Sequence, residues 1–295
     1  MHVPVMEREA LEQLQVQSGG IYLEATTGLG GHTARIAERL TTGTIIACDR
    51  DPLSLEMAKR NLEPWADRII FRRGDFASIA ETVRQTIAFG RLSAEPPLNG
   101  ILADLGVSRY QLTDPQRGFS FTADGPLDMR MDPTMGMTAA DLVNQSDETT
   151  LADLIYQLGE ERRARRVARA IVRARPIRST LHLADVVSRA VPRTGRLHPA
   201  TRTFMALRLA VNNEMGQLDR LLQIGPDLLK PGGRMVVISF MSLEDRRVKH
   251  RFRELENQGR AIVLTKRPLQ PSEEEVRDNP PSRSAKLRAI EMKSK

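Results

Sequence analysis

The sequence predicts an α/β protein: a mostly parallel sheet built from both ends of the chain, interrupted by an inserted helical region. Three observations carry this. Residues 20–106 alternate short apolar β-type runs with helical patterns. That rhythm stops after residue 106 and turn-rich, then helical, sequence takes over. An apolar strand returns after Pro231-Gly232-Gly233. Strands alternating with helices imply βαβ units and a parallel sheet.

Taken in order, GIYLEAT (20–26) is a buried strand ending at the acid Glu24, and HTARIAERL follows as a helix. TIIACD (44–49) is the second strand. DPLSLEMAKRNL is a helix, with Asp51 as N-cap and Pro52 at its first position. RIIFRRGD (68–75) is the third strand, ASIAETVRQTIAF a helix, and NGILADLG (99–106) the fourth strand. Residues 107–140 are rich in turn pairs such as Asp114-Pro115, Arg117-Gly118 and Asp132-Pro133. Residues 148–176, 180–192 and 199–229 read as helical, with Leu151, Leu154, Ile155 and Leu158 on one face. LLKPGGRMVVISF (228–240) reads as a helix end, a turn and a strand. EDRRVKHRFRELEN is a helix, and AIVLTKR (261–267) and AKLRAIEMK (285–293) are strands. The expected division is 1–105 with 213–295 for the sheet domain and 106–212 for the insertion.

The 295 residues fit about two domains. The single cysteine, Cys48, excludes an intramolecular disulfide and a multi-cysteine metal site, and no metal is expected. It points to a reducing, cytoplasmic compartment. No apolar run approaches a membrane span, and MHVPVMEREALEQL lacks the charge and apolar pattern of a secretory signal. The net charge is +7. Residues 151–200 hold eleven arginines and four acids, so this segment alone equals the whole excess. A local basic zone suits a polyanionic partner; a solvated helix face is the plainer alternative.

The loop Ala25-Thr26-Thr27-Gly28-Leu29-Gly30-Gly31-His32 opens a helix after the first strand. Its glycines allow a tight turn and close approach by a ligand. Asp49 ends the second strand, placed to accept ribose hydroxyls, and Asp104 ends the fourth. A dinucleotide fingerprint would need glycine where Thr33 stands, and Glu24 would repel a pyrophosphate. S-adenosylmethionine (AdoMet) carries a sulfonium and an ammonium and no phosphate, so it suits the loop better than NAD. A turn that binds nothing is the remaining reading. Phe76, after the third strand, is either an adenine-facing aromatic or a core residue.

Within the insertion, Arg117 and Arg130 sit among Asp114, Asp124, Asp128 and Asp132. The stretch GEERRARRVARAIVRAR (159–175) places Arg162, Arg165, Arg166, Arg169 and Arg173 in one helical stripe, opposite Val167, Ile171 and Val172. Arg202 and Arg208 follow in the helix opened by His198. Arginine forks suit phosphate contacts. With aromatics at 4%, backbone gripping of RNA is a better expectation than base stacking.

These motifs resemble the RsmH (MraW) methyltransferase family across nearly the whole chain. The carriers are HVPVM (2–6), TGLGGHT (27–33), DRDP (49–52), DLGVSRYQL (104–112) and RGFSF (117–121). DGPLDMRMDP (124–133), GEERRARRVARAI (159–171), HPATRTFMALR (198–208), PGGRMVVISFMSLEDRRVK (231–249) and NPPSRSAKLR (279–288) complete them. The resemblance implies a class I AdoMet-dependent methyltransferase fold with an inserted all-helical domain. It implies methyl transfer to N4 of a cytidine in the decoding centre of bacterial 16S rRNA within the 30S subunit, with S-adenosylhomocysteine released. It leaves monomer or homodimer open. Carried over by position, AdoMet contacts come from Gly30, Gly31, His32, Asp49, Phe76, Asp104 and Gln111, with Glu24 beside them. Glu24, Arg109, Met241 and Pro281 stand where the family has aspartate, serine, histidine and arginine. The Asp/Asn/Ser-Pro-Pro-aromatic motif of many amino-methyltransferases is absent, so Asp104, Ser108, Asp128 and Asp132 are the candidate acceptors for the amine. RNA contacts are expected from Arg130, Arg162, Arg165, Arg166, Arg169 and Arg202. An AdoMet-binding assembly protein without turnover, an NAD oxidoreductase, and a protein or DNA methyltransferase are the rival classes.

Overall fold

The computed structural model describes residues 4–88, 97–193 and 197–294. Residues 2 and 3 of the first motif and Phe89, the expected end of the third helix, lie outside the described residues. Two compact units are present: Met1–Gly106 with Gly216–Lys295, and Val107–Met215.

The first part of the chain forms α1 (Glu7–Leu14), β1 (Ile21–Glu24), α2 (Gly31–Ala37), β2 (Thr44–Asp49), α3 (Pro52–Asn61), β3 (Ile69–Arg73), α4 (Ile79–Ala88) and β4 (Leu98–Asp104). Then come α5 (Arg109–Thr113), α6 (Ala139–Gln145), α7 (Glu148–Gly159), α8 (Ala164–Ala174), α9 (Thr180–Ala190) and α10 (Thr201–Val211). The last part is α11 (Glu214–Leu228), β5 (Leu229–Ser239), α12 (Ser242–Asn257), β6 (Ala261–Val263), α13 (Glu273–Asp278) and β7 (Lys286–Met292).

The sheet order is β3-β2-β1-β4-β5-β7-β6. Strands β1 to β5 pair in parallel, and β7 is antiparallel to both neighbours. This is the class I AdoMet-dependent methyltransferase architecture. The strand order reverses between β1 and β4, where open α/β sheets bind ligands beyond their carboxyl ends. Because side chains alternate along a strand, both faces of each central strand are apolar. Leu23, Ile46, Ile101, Ala103, Met235 and Val237 pack with Leu221 of α11 and Phe252 of α12. Tyr22, Ile45, Ala47, Leu102, Val236 and Ile238 pack in a second core with Leu14 of α1 and Ile36 of α2. The helical unit has its own core, including Val143, Leu151, Ile155, Val167, Ile171, Val187 and Leu207.

Local signals explain several boundaries. Asp51 accepts from the N–H of Leu53 at 3.0 Å, and Pro52 opens α3 without losing a needed donor. Three expectations need correction. The strand expected after Pro231-Gly232-Gly233 starts before it, at Leu229: Leu98 pairs with Leu229 and Gly100 with Arg234, so the extra residues form a bulge inside the strand. The helical stretch 199–229 is two helices, broken where Asn213 takes a left-handed backbone (φ 47°). Arg162 lies in the turn before α8, because Glu160, left-handed at φ 51°, ends α7 and the next helix starts only at Ala164.

Candidate functional site

Backbone hydrogen bonds continue past the strand ends and draw the loops into one edge. Ala25 N–H donates to Leu102 O, Thr27 N–H to Cys48 O, and Leu105 N–H to Ile238 O, each at 2.9 Å. Asp104 N–H donates to Thr26 Oγ1 at 2.7 Å, tying the loop after β1 to the end of β4. Glu24, Asp49 and Asp104 thereby end three adjacent strands, and α2 begins beside them.

Gly30 is left-handed (φ 89°), and a Cβ there would stand 2.7 Å from Leu62 Cδ1. The close approach that requires glycine is therefore to the side chain after α3. Gly31 lies against Pro4, 3.3 Å from an added Cβ. Gly28 N–H donates to Asp49 Oδ2 at 2.7 Å, and Asp51 N–H to Asp49 Oδ1 at 2.8 Å. Each carboxylate oxygen keeps a further lone pair, which ribose hydroxyls can use. Burial, then the Asp51 carboxylate, push Asp49 up to about 6 against those two hydrogen bonds.

Glu24 was expected to meet a cationic ligand as a charged carboxylate, and its surroundings correct the charge. It is fully buried, Thr33 Oγ1 donates to its Oε2, and burial pushes it up to about 8. At neutral pH it is mostly a neutral carboxyl hydrogen-bonded to Thr33 in the first turn of α2. His32 is buried, with Nε2 3.6 Å from Asp104 Oδ2. Burial works to lower the His32 pKa, but Asp104 and Glu24 outweigh it and raise it. Both ring nitrogens, Asp104 Oδ1 and Thr27 Oγ1 are buried without a hydrogen-bond partner among the described residues. Buried polar atoms are normally satisfied, so this edge has the signature of a polar ligand site. AdoMet fits it: its hydroxyls and ammonium need acceptors, which Asp49 and Asp104 offer. Phe76 starts a short 3-10 turn capped by Asp75 and is half-buried against the core of α11 and α12, consistent with either role foreseen for it. Cys48 is buried and pushed up to about 12, so it is no nucleophile.

In the helical unit, Ser108 and Gln111 form a capping box that starts α5. Ser108 Oγ accepts from Gln111 N–H at 3.2 Å, and Ser108 N–H donates to Gln111 Oε1 at 2.8 Å. Arg130 forks onto Asp128, Nε to Oδ1 and Nη2 to Oδ2 both at 2.8 Å. That pair lowers the Asp128 pKa despite partial burial. Asp132 accepts from Thr134 N–H at 3.0 Å and from its hydroxyl at 2.6 Å. Ser108, Asp128 and Asp132 thus all have structural partners within their own unit.

Two residues that sequence reasoning did not single out as clamps hold this loop. Buried Arg117 donates through Nη2 to Arg130 O at 3.0 Å and Met131 O at 2.9 Å. Buried Asn212 accepts from Met131 N–H and donates to Met129 O, both at 2.7 Å. The Asn212-Asn213 helix break carried a signal, but its partners lie about 80 residues away. On α8, Arg165, Arg166, Arg169 and Arg173 are exposed while Val167, Ala168 and Ile171 are buried. Arg169 lies 3.2 Å from Glu148. Arg202 donates to Glu160 O at 3.1 Å, and Arg208 forks onto Glu214 at 2.8 and 3.1 Å.

The model of the MraW methylase family matches residues 1–293. The ribosomal RNA small subunit methyltransferase H of Solibacter usitatus is 66% identical over 293 residues, covering 99% of this chain and 100% of that protein. The proteins of the same name from Acidobacterium capsulatum and Synechococcus elongatus are 51% and 48% identical, covering 99% and 98% of this chain and 98% and 94% of their own. Matched from end to end in this way, the chain belongs to the MraW methylase family.

Proposed function

We propose that the protein methylates N4 of a cytidine in the decoding centre of 16S rRNA, using AdoMet and acting on the assembled small subunit. The observation that carries this is identity of 66% along the full length of a protein named as a ribosomal RNA small subunit methyltransferase. The acid-lined sheet edge and the arginine face of α8 support it, the first as a cofactor site and the second as an RNA grip. The helical unit is the RNA-recognising part on this reading.

Bound AdoMet supplies a methyl group on a sulfonium, an electrophile that needs no further activation. The protein's task lies with the acceptor. A cytosine amine is a weak nucleophile because its lone pair is delocalised into the ring. The base must leave its stack to reach a pocket. An acceptor must then take a hydrogen bond from the amine, turning the lone pair out of the ring plane and holding a proton afterwards. Asp104 is the best-supported group: its Oδ1 is buried and without a partner among the described residues, and His32 faces its Oδ2. Ser108, Asp128 and Asp132 remain secondary candidates because each is already engaged.

The test offers labelled AdoMet with 30S subunits lacking the modification and, separately, naked rRNA, followed by nucleoside mass spectrometry. N4-methylcytidine on 30S is the expected product. AdoMet binding without transfer to either substrate would favour the assembly-protein reading instead.

A further inference from the structure

By composition α12, SLEDRRVKHRFRELEN, is nearly balanced in charge. The fold sorts those charges. Glu244 is buried and accepts from the N–H groups of Phe240 and Met241 at 3.0 and 3.1 Å. Asp245 is buried on Arg288, at 2.6 and 3.3 Å, with Lys286 at 3.7 Å. Glu256 accepts from Val263 N–H at 3.1 Å. Three of the helix's four acids are thus committed to the protein, while Arg246, His250, Arg253 and Glu254 are exposed. A nearly balanced segment thus exposes more arginine than acid.

Between this helix and α11 lies an open groove of about 600 Å³ lined by Arg246, Arg247, His250 and Arg251, with Asp219 and Glu254 as its acids. Two of the guanidiniums are held in place. Arg247 Nε lies 3.2 Å from Asp219. Arg251 donates to Glu254 at 2.8 Å and to Leu222 O at 3.1 Å. A guanidinium has five N–H donors, so each fork keeps several for a ligand. Forks already positioned lose less entropy when they bind an anion. The groove lies on the helix that leaves the same sheet edge. α12 leaves the carboxyl end of β5, whose Ile238 pairs with Asp104. His250 lies eight residues beyond Ser242, about 12 Å along the helix at 1.5 Å per residue.

We propose that this α11–α12 groove is a second RNA-binding surface, on the catalytic unit itself, taking phosphodiesters of the substrate strand. The proposal rests on the reading that the substrate is RNA. It adds to the arginine face of α8 a contact that would hold RNA near the sheet edge through charge rather than base identity.

The test uses the full chain and measures binding of 16S rRNA and of 30S subunits across a salt series. The double variant Arg246→Gln/His250→Gln changes only exposed side chains. It is expected to weaken RNA binding about tenfold, as loss of charge-assisted hydrogen bonds does. The log–log salt slope should shrink by about one, for the charge of Arg246, with AdoMet affinity unchanged. Wild-type RNA affinity and slope in the double variant would overturn the proposal. Loss of 30S binding with naked rRNA binding intact would put an acidic protein surface in the groove instead. A groove-dependent RNA affinity without methyl transfer would leave this surface standing and remove the proposed reaction.

Discussion

His32 Nε2 faces Asp104 Oδ2 at 3.6 Å, one residue at the start of α2 and the other at the end of β4. His32 is buried and Asp104 partly exposed, and Glu24 and Glu7 of α1 also act on the imidazole. A histidine in a glycine loop could act through its backbone alone. Here the ring itself faces Asp104, at the edge proposed for the cofactor.

Asp104→Asn keeps the volume and removes the charge and much of the acceptor strength. Methyl transfer should fall by about 10²-fold or more, the scale of a lost acid–base group. The thermal midpoint should fall as well, because buried His32 loses the carboxylate that faces it at 3.6 Å, so transfer is compared where both proteins are folded. Single-turnover transfer and thermal melting check this; a fully active variant would overturn the role of Asp104.

Glu24 makes stability pH-dependent in a defined direction. Its folded value of about 8 lies above the ordinary 4.5, so the folded state holds a proton that the unfolded state releases. Its contribution is complete below about pH 4.5 and is lost as pH rises through about 8. His32, also raised, acts in the same direction above its ordinary 6.5. Glu24→Gln keeps an acceptor for Thr33 and cannot ionise. The melting curve of that variant should therefore decline less between pH 6 and 8.5, by roughly several degrees for a few kcal/mol. AdoMet affinity at pH 7 should stay within about threefold, since the native group is mostly neutral there.

Gly30→Ala combines a left-handed backbone with a Cβ 2.7 Å from Leu62 Cδ1. The expected cost is about 2–4 kcal/mol from strain and overpacking together. Leu62→Ala alone should cost about 2–5 kcal/mol as a cavity. The two occupy one contact, so the double variant should lose less than the sum. Denaturant midpoints of the four proteins test it; strict additivity would refute the contact.

Arg165→Glu/Arg166→Glu reverses two exposed charges on α8, opposite a buried face that the change does not touch. RNA affinity should drop at least tenfold and the salt slope by about two. AdoMet affinity should not move. Unchanged rRNA binding would remove α8 from the RNA grip.

Much of the sheet unit was legible because its signals are local. Asp51 and Pro52 mark a helix start within four residues, and apolar runs ending in Glu24, Asp49 and Asp104 mark strands and their carboxyl ends. What escaped reading depends on partners distant in sequence. Arg117 sits among acids in the sequence and Asn212 belongs to no motif, yet both hold the backbone of the loop carrying Met129 and Met131. Arg162 fits a helical stripe by spacing, but the left-handed Glu160 and the turn after it delay α8. The strand through Pro231-Gly232-Gly233 exists because its neighbour β4 supplies pairing on both sides of the bulge.

The sequence by itself determined the alternating strand–helix order, the glycine loop, the acids at the strand ends and the family to which the chain belongs. Each of these is written in periodicity or in contiguous motifs. Tertiary structure alone decided the charge of Glu24 and which way the charged helices face. Burial neutralises Glu24, and the packing of α12 turns Glu244 and Asp245 inward. The reason is physical: a residue's type is fixed along the chain, but its ionisation and exposure depend on the solvent excluded by residues folded around it.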